Sequence, residues 1–99
     1  MDNDSTVLED SAASVLAVDL RYRAADPNDK LLLKPERDRT FNAYSAARLK
    51  LLADGVICTD DDVQEMKEIR QEIEKAAQTQ SLLVAVGRFV GFLVKVARA

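Results

Sequence analysis

The side chains in this sequence that could carry out chemistry are one thiol and one group of carboxylates. Cys58 is the single cysteine and histidine is absent, so the sequence offers no imidazole to activate the thiol and no second cysteine for a disulfide. Because Val56 and Ile57 precede it, we expect Cys58 to be a buried structural residue. A lone unpaired thiol is typical of a reducing compartment, and we predict a cytoplasmic protein.

The carboxylates gather at Asp60, Asp61, Asp62 and Glu65. They lack the spacing and the glycine of an EF-hand loop, and because they follow Thr59 they predict the acidic, capped first turn of a helix. The sequence also contains no Gly-rich phosphate loop and no G-x-S-x-G motif. We therefore predict that the protein is not an enzyme, has no metal site and uses no cofactor.

The composition indicates the kind of fold that must hold these residues. A chain of 99 residues can form one modest domain, and its 47% of hydrophobic and 31% of charged residues are ordinary for a globular protein. It has three glycines and two prolines, which are too few turn residues for a sandwich of many short strands. The composition favours an all-α fold.

Hydrophobic periodicity and turn residues divide the chain into a tail and three helices. Residues 1–10 are acidic and polar and predict a flexible tail, and we expect residues 11–99 to form a single helical domain. We predict a helical hairpin with a long C-terminal helix, preceded by an N-terminal helix. The predicted helices are 11–25, 35–54 and 60–98.

The N-terminal helix has a competing interpretation. Its apolar residues alternate with polar or small ones as in a half-buried strand, through Leu16, Val18, Leu20 and Tyr22. Helical spacing fits as well, through Leu8, Val15, Val18, Tyr22 and Ala25. The many alanines favour the helix, and the strand stays as the alternative.

Proline and glycine set the boundaries of the next helix. Asp26-Pro27 predicts the end of the N-terminal helix. Pro35 fits the first position of a helix, where its missing N–H costs no hydrogen bond, and Gly55 fits the stop after residue 54.

If it is unbroken, the predicted helix over 60–98 is a rod of roughly 57 Å.

The chain is apolar from residue 82 onward, apart from a basic stripe on one side of the predicted helix, formed by Arg88, Lys95 and Arg98. Burial of each Leu, Val or Phe side chain is worth about 1.5–3 kcal/mol, and we expect so small a chain to lack the surface to cover them all. We predict that a second surface shelters this segment. The predicted interface consists of Leu82, Leu83, Val86, Gly87, Phe89, Val90, Gly91, Phe92, Leu93 and Val94.

The sequence leaves three functional interpretations open. The first is a non-enzymatic structural or adaptor protein that oligomerises, or docks a protein partner, through its apolar C-terminal helix. The second is a peripheral membrane protein that lays residues 81–99 in the bilayer interface, with the basic stripe toward the head groups. The third is an acidic regulator or inhibitor that binds another protein through its negative face.

Charge is segmented along the chain. Residues 1–20 carry −5, residues 21–50 carry +4, residues 51–74 carry −6 and residues 75–99 carry +4, which together give the net charge of −3. Such segmentation favours pairing between parts of the chain or between copies of it. We expect no nucleic-acid partner, because the helix that begins at Asp60 would present carboxylates to the phosphates.

The C-terminal third also has a recognisable layout. From Val63 the charged run VQEMKEIRQEIEKA leads into the apolar, glycine-containing run LLVAVGRFVGFLVKVA. This layout resembles that of small phage-encoded holin-like membrane proteins. The resemblance implies association with a membrane; it includes no diagnostic motif and assigns no functional residue to this chain.

Overall fold

Four α-helices make up the computed structural model, which describes residues 2–53 and 55–99. No strand occurs within these residues, so the predicted all-α fold is confirmed and the strand alternative for the N-terminal segment is wrong. The helices are α1 (Asn3–Ala24), α2 (Pro27–Leu51), α3 (Asp60–Lys75) and α4 (Thr79–Ala97).

The helices form two hairpins that pack side by side. α1 and α2 form one and α3 and α4 the other, and the order around the bundle is α1, α2, α4, α3. The first turns of parallel neighbours meet: Asn3 donates to Asp60 at 3.0 Å, and Thr79 donates to Asp29 at 2.9 Å. The radius of gyration is 13.2 Å, close to the ~13 Å expected of a compact domain of this length.

The core lies between the inner sides of all four helices, and α4 supplies its largest share. Phe89 is fully buried at its centre. The other large side chains that are fully enclosed are Val7 from α1, Met66, Ile69 and Ile73 from α3, and Leu82, Val86 and Leu93 from α4.

The predicted continuous helix over 60–98 is wrong, because residues 76–78 are not helical and separate α3 from α4. Ala76 has extended backbone angles, and Gln78 precedes α4 without a side-chain cap. No glycine or proline causes this break. It lets α4 fold back along α3, so that the apolar side of α4 packs in the core instead of projecting beyond its neighbours.

The predicted start of the second helix at Pro35 is also wrong, because α2 begins eight residues earlier, at Pro27. Asp26 caps it by accepting a hydrogen bond from the N–H of Asp29 at 2.8 Å. Pro35 lies inside the helix on an exposed side, where water can reach the carbonyl that its missing N–H leaves unbonded. α2 ends at Leu51, and the predicted last residue, Asp54, lies outside the described residues.

The predicted flexible tail over 1–10 is wrong for residues 3–10, which form the first turns of α1. Asp2 caps the helix through the N–H of Ser5, and the inner side of these turns includes buried polar residues. Among them, Asp10 pairs with Arg70 of α3 at 2.9 Å. Because polar residues occupy core positions, hydrophobic periodicity does not reveal this part of the helix.

The connection from α2 to α3 is described over residues 52–53 and 55–59, and residues 57 and 58 are hydrogen-bonded to the start of α1. The buried carboxylate of Asp4 accepts hydrogen bonds from the N–H groups of Ile57, at 3.1 Å, and Cys58, at 2.8 Å. Asn3 donates to the carbonyl oxygen of Cys58 at 3.2 Å. We call this set of contacts the Asp4 clamp.

We expect Phe89→Ala to lower the free energy of unfolding by about 3–5 kcal/mol, because it leaves a cavity in the centre of the core. Val84→Ala is the control: the Val84 side chain is on the outer side of the same helix, 65% exposed, and its truncation should change stability by less than about 0.5 kcal/mol. Urea unfolding followed by circular dichroism measures both. Equal effects of the two substitutions would contradict the burial of Phe89.

Candidate protein-binding surface

Half of the predicted interface lies inside the chain's own core. Leu82, Val86, Phe89, Phe92 and Leu93 are buried against the other helices of the same chain. The prediction that a second surface must shelter them is wrong. The four-helix arrangement supplies more covering surface than the three predicted helices, because residues 3–10 and 27–34 are also helical.

The rest of the predicted interface lies at the edge of the core or outside it. Leu83, Val90 and Val94 are half-buried, whereas Gly87 and Gly91 are exposed. A Cβ atom added to either glycine would meet no atom within 4 Å. These two glycines, which have the G-x-x-x-G spacing, therefore make no close helix contact within the described chain.

The predicted basic stripe is paired, for the most part, with the acidic side of α3. Two of its three cations form ion pairs with α3 across the α3–α4 contact, while Arg98 is exposed beyond the last residue of α4. The complementarity between acidic and basic segments is thus used within one chain. The pairs are Arg88 with Glu68, at 3.1 Å, and with Glu72, and Lys95 with Asp62, at 3.0 Å, and with Glu65, at 3.1 Å.

Asp62 both caps α3 and pairs with α4. Thr59 Oγ1 accepts from the Asp62 N–H at 3.2 Å, and the Asp62 carboxylate accepts from the Thr59 N–H at 3.0 Å. These two bonds form a capping box at the predicted acidic first turn. Burial opposes its ionisation, but the bonds from Thr59 and Lys95 outweigh it and lower the pKa of Asp62. Its hydrogen bond in turn raises the pKa of Lys95.

The two groups singled out for chemistry have structural surroundings. Cys58 is buried, and burial together with the nearby Asp4 carboxylate raises the pKa of its thiol to about 12, so thiolate is scarce at neutral pH. Within residues 2–53 and 55–99, no three Asp, Glu or Cys side chains are grouped so that they could hold a metal ion.

A groove that the sequence did not predict runs along the outer side of the α1–α2 hairpin. Its volume is about 590 Å³, and Leu16 and Leu49 project beside it with 63% and 74% of their surface exposed. Such exposed apolar grooves are typical of sites that take up a helix or an extended segment of a protein. The lining residues are Ala12, Val15, Leu16, Phe41, Tyr44, Ser45, Arg48 and Leu49.

One end of the hairpin is held by an arginine between two aromatic rings. The guanidinium carbon of Arg37 lies 5.3 Å from the centre of the Tyr22 ring and 4.8 Å from that of Phe41. Arg37 also pairs with Asp19 at 3.0 Å. These contacts fix Phe41, a groove residue, without covering the apolar surface beside it.

The sequence contains a signal for this surface, but the predicted interface does not use it. Leu16 and Leu20 belong only to the strand alternative for the N-terminal segment, and the predicted helical spacing leaves both out. At 100° per residue, however, both lie on the side of α1 opposite Val7 and Val18, which are buried. A larger groove, of about 930 Å³, lies between α3 and α4, and six of its eleven lining residues have charged or amide side chains.

Comparison with known proteins gives no further guide to this surface: no family model, curated protein or solved structure matches the chain. Among the described helices, α4 is long and apolar enough to cross a membrane, although 39% of its most apolar stretch is buried inside the bundle.

We expect the Asp62 contacts to make stability depend on pH. Because the folded pKa of Asp62 is lower than its unfolded value of about 3.9, its contribution is complete above that value and is lost as pH falls through the folded pKa. The difference in unfolding free energy between wild type and Asp62→Asn should therefore be largest near neutral pH and shrink below about pH 4. Urea titrations at several pH values measure it.

Asp61→Asn is the matched control for this experiment. It removes an exposed carboxylate from the same turn without breaking an ion pair among the described residues, and we expect a smaller difference from wild type near neutral pH. A gap between wild type and Asp62→Asn that stays constant from pH 7 to the acid limit would contradict the assigned role.

Proposed function

We propose that this protein is a non-enzymatic structural or adaptor protein that acts by docking another protein chain on the outer side of its α1–α2 hairpin. The observation that carries the proposal is the groove beside Leu16 and Leu49. Its apolar lining, broken by the single charge of Arg48, fits the apolar side of a protein segment better than it fits a polar small molecule.

The distribution of exposed apolar residues supports the same surface. Scattered single leucines are normal on a protein surface, but Leu16, Leu20 and Leu49 are gathered on two adjacent helices next to a concave surface. The inner side of α4, where the sequence predicted the interface, is buried in the core. We therefore keep the docking role proposed from the sequence and place it on the outer side of the α1–α2 hairpin.

Site-specific photo-crosslinking in the cells that produce the protein tests the proposal. A p-benzoylphenylalanine in place of Leu16 should give a discrete adduct with a protein chain, whether a second copy or another protein. The same residue in place of Val84, which is 65% exposed on α4, is the control and should give little. The proposal would be contradicted if the two positions gave equal amounts of adduct, or if neither gave any.

The apolar character of α4 favours a second candidate function, a membrane-associated protein. For its apolar side to meet lipid, α4 must leave the bundle, and its ion pairs with α3 must separate. Arg88 in the middle of the helix makes a full crossing costly, at about 2.5–3.5 kcal/mol on insertion scales, so a position in the bilayer interface is the easier one.

Flotation with vesicles of phosphatidylcholine and phosphatidylglycerol separates the two candidates. If docking on the α1–α2 surface is the function, the folded protein should stay at the bottom of the gradient. Phe89→Ala serves as a positive comparison, because a weakened core exposes α4 more often. Flotation of the wild-type protein with its fold intact would favour the membrane candidate over the docking surface.

A further inference from the structure

The outer side of α1 has a regular arrangement of five residues. They are spaced by 3, 4, 4 and 3 positions, and at 100° per residue they fall within about 80° of one another, on the side opposite the buried Val7. We call these five residues the α1 strip: Glu9, Ala12, Leu16, Leu20 and Arg23.

The α1 strip is complementary to itself when reversed. Its spacing reads the same in both directions, so a second strip laid antiparallel with Leu16 opposite Leu16 brings every other position level with a counterpart. Leu20 of one copy then lies level with Ala12 of the other, which places a large side chain beside a small one. Glu9 of one copy lies level with Arg23 of the other, which places opposite charges together.

Both charged ends of the strip are available for such a contact. Glu9 is exposed and makes no ion pair within the described residues. The Arg23 side chain is 68% exposed, and among those residues it pairs with Asp19 alone, through Nε at 2.8 Å. A parallel arrangement would instead place Glu9 against Glu9 and Arg23 against Arg23, so charge selects the antiparallel one.

The neighbouring groove adds apolar area to the strip. Ala12 and Leu16 belong to both, so a helix on the strip also faces the concave surface formed with α2. The leucines of a second copy thereby meet a shaped apolar surface instead of the convex side of a lone helix. The apolar contacts would supply the affinity, since exposed ion pairs contribute little by themselves.

We propose that the occupant of this surface is a second copy of the chain, and that the α1 strips of two copies pack antiparallel about a two-fold axis at Leu16. An axis of this kind makes each contact occur twice, which is how most small homodimers are built. The inference rests on the proposed function and names its partner.

Sedimentation of the full chain tests the dimer. We expect a species of about 22 kDa, twice the chain mass of 11.0 kDa. Leu16→Glu places two carboxylates against each other at the axis and should raise the dissociation constant more than about 100-fold, with unchanged helix content. Val84→Glu, the same kind of change on the exposed side of α4, should leave it within about 2-fold.

A charge exchange tests the antiparallel arrangement. Glu9→Arg alone and Arg23→Glu alone should each weaken the dimer by about 2- to 30-fold, because each opposes like charges twice across the axis. The double variant Glu9→Arg/Arg23→Glu restores both pairs in reverse and should recover most of the affinity. Additive losses in the double variant would overturn the arrangement.

Crosslinking tests the register. In a mixture of the Glu9→Cys and Arg23→Cys variants, a short bismaleimide should join the two species, whereas either variant alone should give little dimer. The buried Cys58, whose pKa is about 12, contributes little background. Preferential joining of identical variants would overturn the proposed register.

A chain that stays monomeric at 100 µM overturns this inference whatever the variants do. If the Leu16 photo-probe then still captures a different protein, the docking function stands and only the identity of its partner is wrong. Absence of both the dimer and the adduct overturns the two together.

Discussion

The inner side of α4 is the constraint on which the rest of the bundle depends. Leu82, Val86, Phe89 and Leu93 are enclosed completely, and each is worth about 1.5–3 kcal/mol when it is removed from water. They are enclosed because the helix is interrupted between α3 and α4, which allows α4 to fold back against α2 and α3. Once it is folded back, the basic stripe meets the acidic side of α3, and the ion pairs across this contact follow from the antiparallel course of the hairpin.

The parts of the fold that local signals determine could be predicted from the sequence. The composition predicts the all-α class. Thr59 and the three aspartates that follow it predict the start of α3, and the apolar neighbours of Cys58 predict its burial. The break at 76–78 has no such signal, since good helix formers surround it and the packing of α4 imposes it. The continuation of α2 through Pro35 is equally invisible, because it depends on the exposed position of that proline.

The candidate surface was missed for a related reason. Periodicity identifies which residues of a helix share a side but does not tell which side becomes the inner one. In α1 the buried side combines the polar Asp4, Asp10, Ser11 and Ser14 with Val7, Val15 and Val18, while Leu16 and Leu20 are outside. This helix therefore lacks the single apolar side that an amphipathic helix has. In α4 half of the predicted interface is the inner side of the helix, and the other helices of the same chain cover it in place of the predicted partner.

The Asp4 clamp has a consequence for how the two hairpins find each other. The described part of the connection between α2 and α3 is joined to its own chain by the bonds that Asp4 and Asn3 make with Ile57 and Cys58. Those bonds hold residues 57 and 58 against the first turn of α1. If they are broken, the same residues can extend, and the α3–α4 hairpin of one molecule can close on the α1–α2 hairpin of another with every core contact preserved. The bonds made by Asp4 and Asn3 therefore favour the closed molecule over a domain-swapped pair.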